Sequence, residues 1–350
     1  MKRIKKFLKM GLDEKILLIS RKIHSHIQSK RAFAKEYTFD NRQIGAENLF
    51  LILAGFQPYY WDEVFSRVLK NIESFEEPID VCVCIPEGLK GSFETLRESC
   101  SANSWSFLYI PKDLLAQVQN TAIKLHPKAK WIYKIDEDIL LSSNYLSRLK
   151  HVYNKADIDN YYPIGFMGPL LNVNAACAPF FLQVIDAYDE FKQKYGDYRI
   201  KWGEKDDIIH NSPDLAHFIW EKSIPFDDVS ESIYKRNNDS YFVSPVRYSI
   251  GAILFKRSYW EKIGYFKVGL LGDMGIEEEQ VCGYNNINYC PIFVAQGIFA
   301  GHLGYYTQKE TCRQFFEENA EDIFLKKDSF KDIESIESHK LYDTRRGGKI

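Results

Sequence analysis

Apolar residues recur at helical spacing along the start of the chain. Steps of three or four positions place seven of them on one face of a single helix: Ile4, Leu8, Leu12, Ile16, Ile19, Ile23 and Ile27. Residues 1–35 also hold eleven basic side chains against Asp13 and Glu14. Two interpretations stay open: this helix packs on the body of the protein with its lysines in solvent, or it lies on an anionic membrane surface.

From about residue 46 onward, short apolar runs alternate with segments of helical periodicity. We predict strands at Asn48–Gly55, Asp80–Pro86, Ser104–Ile110 and Trp131–Ile135, with helices at Trp61–Ser74, Asp113–Leu125 and from Ser142 or Ser143, as N-cap, to about Ala156. This alternation is typical of βαβ units, which build a parallel sheet with helices on both faces. The predicted fold class is therefore α/β with a Rossmann-like, mostly parallel central sheet.

Charge and composition narrow the functional classes. The chain has a net charge of −2, and residues 1–35 account for +9, which leaves −11 for the rest. Such an excess of carboxylates disfavours nucleic-acid binding, which needs clustered cations. The seven cysteines include no CxxC pair and are expected to be reduced, structural thiols. We find neither a secretory signal nor an apolar run near the roughly 20 residues of a membrane span, so we expect a cytoplasmic protein, attached peripherally to the inner face of the membrane if the arm binds lipid.

Three consecutive carboxylates follow the fourth predicted strand. Asp136 and Asp138 flank Glu137, so their side chains can leave the strand end on one face. Mutual repulsion raises the pKa of neighbouring carboxyls unless a cation compensates, and Mg²⁺ or Mn²⁺ meets that need and can hold a diphosphate. The alternative is a solvated acidic loop in front of a helix N-terminus.

Two stretches resemble bacterial polysaccharide glycosyltransferases of family 2, which have the GT-A fold. Residues 114–138 (LLAQVQNTAIKLHPKAKWIYKIDED) resemble the segment in which a helix carrying Ala-Arg-Asn precedes a strand that ends in Asp-x-Asp. Asn120 matches the Asn of that family, whereas Gln119 stands where Arg is usual. Residues 51–69 (LILAGFQPYYWDEVFSRVL) resemble the first strand and helix of the family.

The resemblance implies a site for a nucleotide-diphosphate sugar beyond the strand ends. Its residues would come from two loops, one helix and the acidic triplet: Ala54, Gly55, Phe56, Gln57, Glu87, Asn120, Asp136 and Glu137. Glu87 stands in for an Asp that usually faces the base, and Asp136 would reach the ribose or a water on the metal. Mn²⁺ or Mg²⁺ would be held by Asp138, with Asp136 and His302 as further ligands. A purely structural role for His302 stays open.

The second half of the chain supplies the acceptor side in this resemblance. Residues 249–266 resemble the acceptor-side segment of the family, and the run beginning at Glu277 resembles its acidic pair at the start of a helix. Glu278 would then be the base that deprotonates the acceptor hydroxyl, or Glu277 or Glu279 if the register shifts by one. The alternative is an acidic helix N-terminus without a catalytic role.

The resemblance covers about residues 48–306 and suggests how the chain is divided. We expect a basic amphipathic helical arm (1–45), a GT-A domain (46–306) with a nucleotide-binding half (46–156) and an acceptor half (157–306), and a charged helical tail (307–350). Residues 157–248 carry no motif and are expected to include an acceptor-facing insertion.

The sequence therefore predicts a glycosyltransferase that moves a sugar from a nucleotide-diphosphate sugar to a glycan or lipid-linked acceptor. The resemblance implies bacterial capsule, exopolysaccharide or lipopolysaccharide synthesis and a single inverting displacement, with a Glu base and a divalent metal. Two other classes stay open. One is a metal-dependent sugar nucleotidyltransferase, although residues 56–59 of the first loop hold no cation, and the other is a non-catalytic carbohydrate-binding protein on the same fold.

Overall fold

One sheet runs through the part of the chain that the computed structural model describes, which comprises residues 11–54, 57–86, 93–112, 114–201, 206–269 and 275–325. Its strands are β1 (Thr38–Asp40), β2 (Asn48–Leu53), β3 (Ile79–Ile85), β4 (Ser106–Tyr109), β5 (Trp131–Asp136), β6 (Ile139–Leu141), β7 (Phe166–Leu171), β8 (Tyr241–Val243), β9 (Ala252–Lys256) and β10 (Ile292–His302). They lie in the order β1-β4-β3-β2-β5-β9-β7-β10-β6, and β8 also pairs with β10.

Helices connect these strands and cover the sheet. They are α1 (Leu12–Arg31), α2 (Trp61–Glu73), α3 (Phe93–Ala102), α4 (Leu115–Leu125), α5 (Tyr145–Asp159), α6 (Ala178–Val184), α7 (Tyr188–Tyr195), α8 (Ile208–Asn211), α9 (Pro213–Glu221), α10 (Phe226–Asn237), α11 (Arg257–Lys262), α12 (Ile276–Ile287), α13 (Lys309–Glu318) and α14 (Ala320–Ile323). Short 3₁₀ turns lie at Pro58–Tyr60 and Tyr306–Gln308.

The predicted α/β class with a mostly parallel sheet is confirmed. Strands β2, β3, β4, β5, β7 and β10 point one way, and β1, β6, β8 and β9 point the other way. Every residue of β2 and of β7 is buried, so both faces of the sheet are covered at these strands. The helix α2 connects β2 to its parallel neighbour β3, as a βαβ unit requires.

The predicted helix after the acidic triplet begins later than expected. Neither Ser142 nor Ser143 caps it: α5 follows Asn144, whose left-handed backbone (φ 58°) makes the turn without a side-chain cap. The residues just before this turn form the short strand β6 instead. Pairing with the end of β10 satisfies their backbone groups, which is a tertiary effect that local periodicity does not reveal.

Strand β7 lies within residues 157–248, for which the sequence offers no motif. It is central to the second half of the sheet, between β9 and β10. A Cβ atom on Gly168 would lie 2.3 Å from the hydroxyl oxygen of Tyr248, so this close approach requires glycine. The Tyr248 hydroxyl donates to the carbonyl oxygen of Pro169 at 2.6 Å. This region therefore contributes to the core of the sheet, besides any acceptor-facing part.

The basic arm contains the predicted helix, as α1, and then joins the body. Residues 1–10 lie outside the described residues. Ala32 and Ala46 are buried, and β1 pairs with β4 at the edge of the sheet. All seven cysteines are buried and free, as expected of structural thiols. Within the described ranges, no helix combines the length and the apolar character needed to cross a bilayer.

The described part of the expected tail, residues 307–325, packs into the core. Helices α13 and α14 contribute Cys312, Phe315 and Ile323 to the buried apolar cluster. Residues 307–325 of the expected tail therefore belong to the body. Its remaining residues, 326–350, lie outside the described residues.

A buried guanidinium fastens this C-terminal segment to α2. Arg67 pairs with Glu63 (Nε to Oε1, 2.6 Å) and with Asp227 (Nη1 to Oδ1, 2.9 Å). The same guanidinium donates to the carbonyl oxygen of Ile323, and Glu63 accepts a hydrogen bond from the backbone N–H of Leu325. Arg67 and Glu63 are both buried, so removing Arg67 would leave the Glu63 carboxylate buried without its ion-pair partner.

We expect Arg67→Ala to lower the free energy of unfolding by about 3–5 kcal/mol, because a buried ion pair that loses one partner leaves an uncompensated charge. The matched control is Arg97→Ala, whose partly exposed ion pair with Asp40 should contribute far less to stability. Urea unfolding of the two variants measures the difference. Equal losses in both would contradict the role given to Arg67.

Candidate functional site

The candidate site lies at the edge of the sheet where the parallel strands β2, β3 and β5 end. Leu53 of β2 pairs with Cys84 of β3 and with Asp136 of β5, so the three strand ends are level. Ala54 follows β2, is buried, and donates its N–H to the Cys84 carbonyl oxygen at 2.9 Å. Strand β10 ends at the same edge, where its pairing with β6 brings His302 beside the acidic triplet. Ligands of α/β proteins bind beyond such strand ends.

Asp136 lies beside a buried lysine, two residues earlier on the same face of β5. The Nζ of Lys134 is 2.6 Å from Asp136 Oδ1 and donates to the carbonyl oxygen of Ile250 at 2.7 Å. Loss of surrounding water raises the pKa of Asp136 to about 6; Lys134 opposes this rise and Asp138 adds to it. Part of the charge compensation expected from a metal ion is therefore supplied by Lys134.

Glu137 holds the loop after β2 against the end of β5. It is buried, and its two carboxylate oxygens accept hydrogen bonds from the backbone N–H of Gln57 and from the indole N–H of Trp61, both at 2.6 Å. A buried carboxylate needs such donors. Both oxygens of Glu137 thus have protein partners, and the nucleotide contact implied for Glu137 stays a prediction from the resemblance.

The carboxylate of Asp138 lies between the side chains of Gln57 and His302. Gln57 Nε2 donates to Asp138 Oδ2 at 2.8 Å, and His302 Nε2 lies 4.0 Å from the same oxygen. Tyr59 in turn donates its hydroxyl proton to Gln57 Oε1 at 2.8 Å. Gln57, predicted to line the nucleotide site, therefore lies in contact with the acidic triplet.

The imidazole of His302 is buried, and a hydrogen bond of its Nδ1 atom fixes the orientation of the ring. Nδ1 lies 3.2 Å from the carbonyl oxygen of Val173, which can only accept a hydrogen bond, so the neutral ring carries its proton on Nδ1. Its Nε2 then presents a lone pair on the side of Asp138. A backbone carbonyl that fixes a histidine tautomer in this way is typical of histidines that bind metals.

Glu277, on the first turn of α12, is the buried member of the glutamate run. The helix follows Gly275, whose left-handed backbone (φ 85°) favours glycine. Burial raises the pKa of Glu277 to about 7; the charge of Lys134 opposes the rise, and the carboxylates of Glu278 and Asp136 add to it. Glu277 therefore lies within electrostatic reach of the end of β5.

Glu278 and Glu279 lie in different surroundings from Glu277. One oxygen of Glu278 pairs with the guanidinium of Arg247, and the other accepts the backbone N–H of Ile250 at 3.1 Å. Glu279 is exposed to solvent. Of the three candidates for the base, Glu278 is held by two donors, Glu279 is exposed and Glu277 is buried.

Asn120 is buried and occupied entirely by protein partners. Its Oδ1 accepts from the indole N–H of Trp260 at 2.9 Å and from the backbone N–H of Phe266 at 3.0 Å, and its Nδ2 donates to the Phe266 carbonyl oxygen at 2.8 Å. Asn120 therefore links α4 to α11 and the segment after it, and its contact with a nucleotide stays a prediction from the resemblance. The neighbouring Gln119 is also buried.

Several predicted residues lie outside the described residues. They are Gly55 and Phe56 of the loop after β2, and Glu87 after β3. Their roles stay predictions from the resemblance.

Sequence reasoning did not identify Lys134, Trp61 or the aromatic neighbours of His302. A single lysine inside an otherwise apolar strand was the available signal for Lys134. The ring of Tyr305 lies against His302 on one side, with centroids 4.6 Å apart, and against His210 on the other, at 4.3 Å. No local pattern connects these positions, because α8 and the end of β10 meet only in the folded chain.

The described residues alone do not form a complete metal site. Among the ranges that the structure covers, no group of three or more His, Cys, Asp or Glu side chains is arranged to hold a metal ion. A carboxylate oxygen of Asp138 and the free nitrogen of His302 are nevertheless donor types that Mn²⁺ accepts.

Comparison with known proteins finds likenesses among solved structures. No protein-family model matches the chain, and no curated protein matches it. Among solved structures, it is similar to a mannosyltransferase from Pyrobaculum calidifontis in complex with GDP-Man and Mn²⁺. The likeness has a TM-score of 0.41 and 11% sequence identity, and it covers 82% of this chain and 67% of that one.

The raised pKa of Glu277 predicts a specific pH dependence of stability. Between pH 4.5 and about 7 the folded protein keeps a proton that the unfolded chain has released, so the wild type loses stability as the pH rises through this window. The contribution of Glu277 to this loss should reach about 3 kcal/mol by pH 7 and be absent in Glu277→Gln, whereas the contribution of the raised pKa of Asp136 is common to both proteins. Melting temperatures of the two proteins across the window, in a chelating buffer, measure it. A gap that stays constant with pH would contradict the burial of an ionisable Glu277.

Proposed function

We propose that this chain is a glycosyltransferase that uses a nucleotide-diphosphate sugar as donor and a glycan or lipid-linked molecule as acceptor. The observation that carries the proposal is a buried glutamate, Glu277, on a helix turn that hydrogen bonds through Ile250 and Lys134 connect to Asp136 at the carboxyl edge of the sheet. The glutamate can accept a proton from a hydroxyl, while the aspartates can hold a diphosphate through a cation. A role in bacterial surface polysaccharide synthesis is supported by the family 2 resemblance of residues 51–69 and 114–138.

In the proposed reaction the acceptor hydroxyl loses its proton to the Glu277 carboxylate. The hydroxyl oxygen forms a bond to the anomeric carbon of the sugar as the bond from that carbon to the phosphate oxygen breaks. The electron pair of the broken bond leaves with the nucleoside diphosphate, and the configuration inverts. A carboxyl with a pKa of about 7 suits this step, because a general base works best near the operating pH.

Glu278 is proposed to position the base rather than to act as one. Its ion pair with Arg247 and its hydrogen bond from Ile250 fix the first turn of α12 against the segment before β9. Since the Ile250 carbonyl oxygen also accepts from Lys134, the turn that carries Glu277 is connected to Asp136 through Ile250 and Lys134.

The residues present fit a divalent cation in part. Asp138 would supply an oxygen and His302 the nitrogen Nε2, which its hydrogen bond to Val173 leaves unprotonated. Asp136 would be a further ligand or would reach the ribose. When bound, Mn²⁺ or Mg²⁺ would neutralise negative charge on the leaving diphosphate. Oxygens of the donor and water would have to complete the coordination, as is usual for Mg²⁺ with phosphates.

We expect Glu277→Gln to lower the rate of sugar transfer by roughly 10²–10⁴-fold, because the amide keeps the shape of the side chain but cannot accept a proton. Donor affinity should be unchanged. Steady-state transfer and calorimetric donor binding measure the two quantities.

Glu279→Gln is the matched control for this experiment, because Glu279 is exposed on the same turn and should transfer sugar at the wild-type rate. Glu278→Gln should lower the melting temperature through its lost ion pair and affect the rate less than Glu277→Gln. A large rate loss in Glu278→Gln with a normal rate in Glu277→Gln would assign the base to Glu278 instead.

A second prediction concerns the metal. Asp138→Asn removes a charge at constant size, so it should weaken Mn²⁺-dependent donor binding at least about tenfold while leaving binding of the free nucleoside unchanged. His302→Ala should cause a smaller loss, since water can replace one neutral ligand. Calorimetry with Mn²⁺ and with chelator provides the measurement. If the wild type binds the donor equally in both conditions, the metal has no part in donor binding.

A further inference from the structure

The apolar stripe of α1 faces solvent. The exposed fraction stays large along its whole described length: Leu12 72%, Ile16 58%, Ile19 46%, Ile23 54% and Ile27 40%. Large contiguous apolar surfaces are uncommon on soluble monomers and mark interaction sites. The interpretation in which this helix buries its stripe against the body is therefore wrong.

A different face of α1 fastens the helix to the body near its C-terminal end. The amide of Gln28 makes two hydrogen bonds with the backbone of Val268, donating at 3.1 Å and accepting at 3.2 Å. Three residues later, Arg31 Nη2 donates to the carbonyl oxygen of Gly269 at 2.8 Å. These contacts set the rotation of the helix about its axis, so the stripe is directed away from the body.

The charge distribution identifies the kind of surface that fits this stripe. Lys22 and Lys30 are exposed on the same helix. Residues 1–35 carry a net charge of +9, whereas the rest of the chain carries −11. An anionic surface would therefore attract the arm and repel the body, which orients the molecule with the stripe facing that surface.

We propose that α1 docks on an anionic membrane, with its isoleucine stripe in the interface between headgroups and acyl chains and its lysines at the lipid phosphates. A helix with one apolar face and basic flanks binds in this way through buried apolar area together with attraction to anionic lipid. The proposal commits to a lipid surface; a second copy of the chain is the competing occupant that the experiment must exclude.

Docking has a consequence for the candidate site that rests on the proposed function. Gly269, which Arg31 contacts, is eight residues before Glu277 in the sequence. The membrane would thus lie on the side of the molecule where Gly269 contacts α1. Because the base follows Gly269 so closely in the sequence, this position favours an acceptor carried by lipid. The docking itself is independent of any transferase activity.

The experiment is sedimentation of the full chain with vesicles, without donor or acceptor. Phosphatidylcholine vesicles containing about 30% phosphatidylglycerol should bind the protein at least about tenfold more tightly than pure phosphatidylcholine. The double variant Ile16→Asp/Ile23→Asp should lose this binding at least about tenfold, because it places charge in the apolar interface. The matched control is Ile158→Asp, at an exposed isoleucine (83%) on α5, which should bind as the wild type does.

Three results would overturn the proposal. They are failure of the wild type to bind anionic vesicles, equal binding by the double variant, and equal binding to neutral vesicles. Analytical ultracentrifugation without lipid addresses the second copy: a wild-type dimer that the double variant converts to a monomer would assign the stripe to self-association. Unchanged donor hydrolysis by the double variant shows that the site is intact, so failure of docking and failure of the proposed function are distinguishable.

Discussion

The buried ammonium group of Lys134 is the interaction on which the arrangement of the site depends. It contacts Asp136 and the carbonyl oxygen of Ile250, while the N–H of Ile250 binds Glu278. These links join the end of β5 to the first turn of α12. A lone charge inside a protein is costly, and crowded carboxylates repel one another. The buried lysine and the carboxylates therefore stabilise one another. Their links hold in place the helix turn that carries Glu277.

The acidic triplet shows how adjacent carboxylates acquire different roles. Asp136 forms an ion pair with the buried Lys134. Glu137 accepts hydrogen bonds from the backbone N–H of Gln57 and the indole N–H of Trp61. Asp138 remains within reach of the unprotonated nitrogen of His302. The three residues are consecutive, but the strand ends at Asp136 and the chain turns at Glu137 and Asp138, so their side chains meet different neighbours. The capacity to hold a cation is thus concentrated on Asp138, with Asp136 beside it.

The first half of the fold was predictable because its information is local. Strands β2, β3 and β5 are continuous apolar runs, and the helices between them have clear periodicity, so their order and parallel direction follow from the βαβ rule. Strand β6 and the packing of α13 depend on partners far along the chain, which no window of sequence contains. The same distinction holds for the site: Asp136 and Asp138 stand out by their spacing, whereas the structural use of Asn120 depends on Trp260 and Phe266, 140 and more residues away. The different burial of Glu277, Glu278 and Glu279 is likewise visible only in the folded chain.

The central claim is that the site breaks the bond between a sugar and a nucleoside diphosphate. It is tested most directly by incubating the purified chain with a panel of sugar nucleotides and Mn²⁺ and identifying the nucleotide product. Glycosyl transfer, or hydrolysis in the absence of acceptor, releases a nucleoside diphosphate, because the leaving bond joins the anomeric carbon to a phosphate oxygen. Release of a nucleoside monophosphate or pyrophosphate would show attack at phosphorus, as in a nucleotidyltransferase. No turnover of any donor would indicate a carbohydrate-binding protein, and either result would contradict the proposed function.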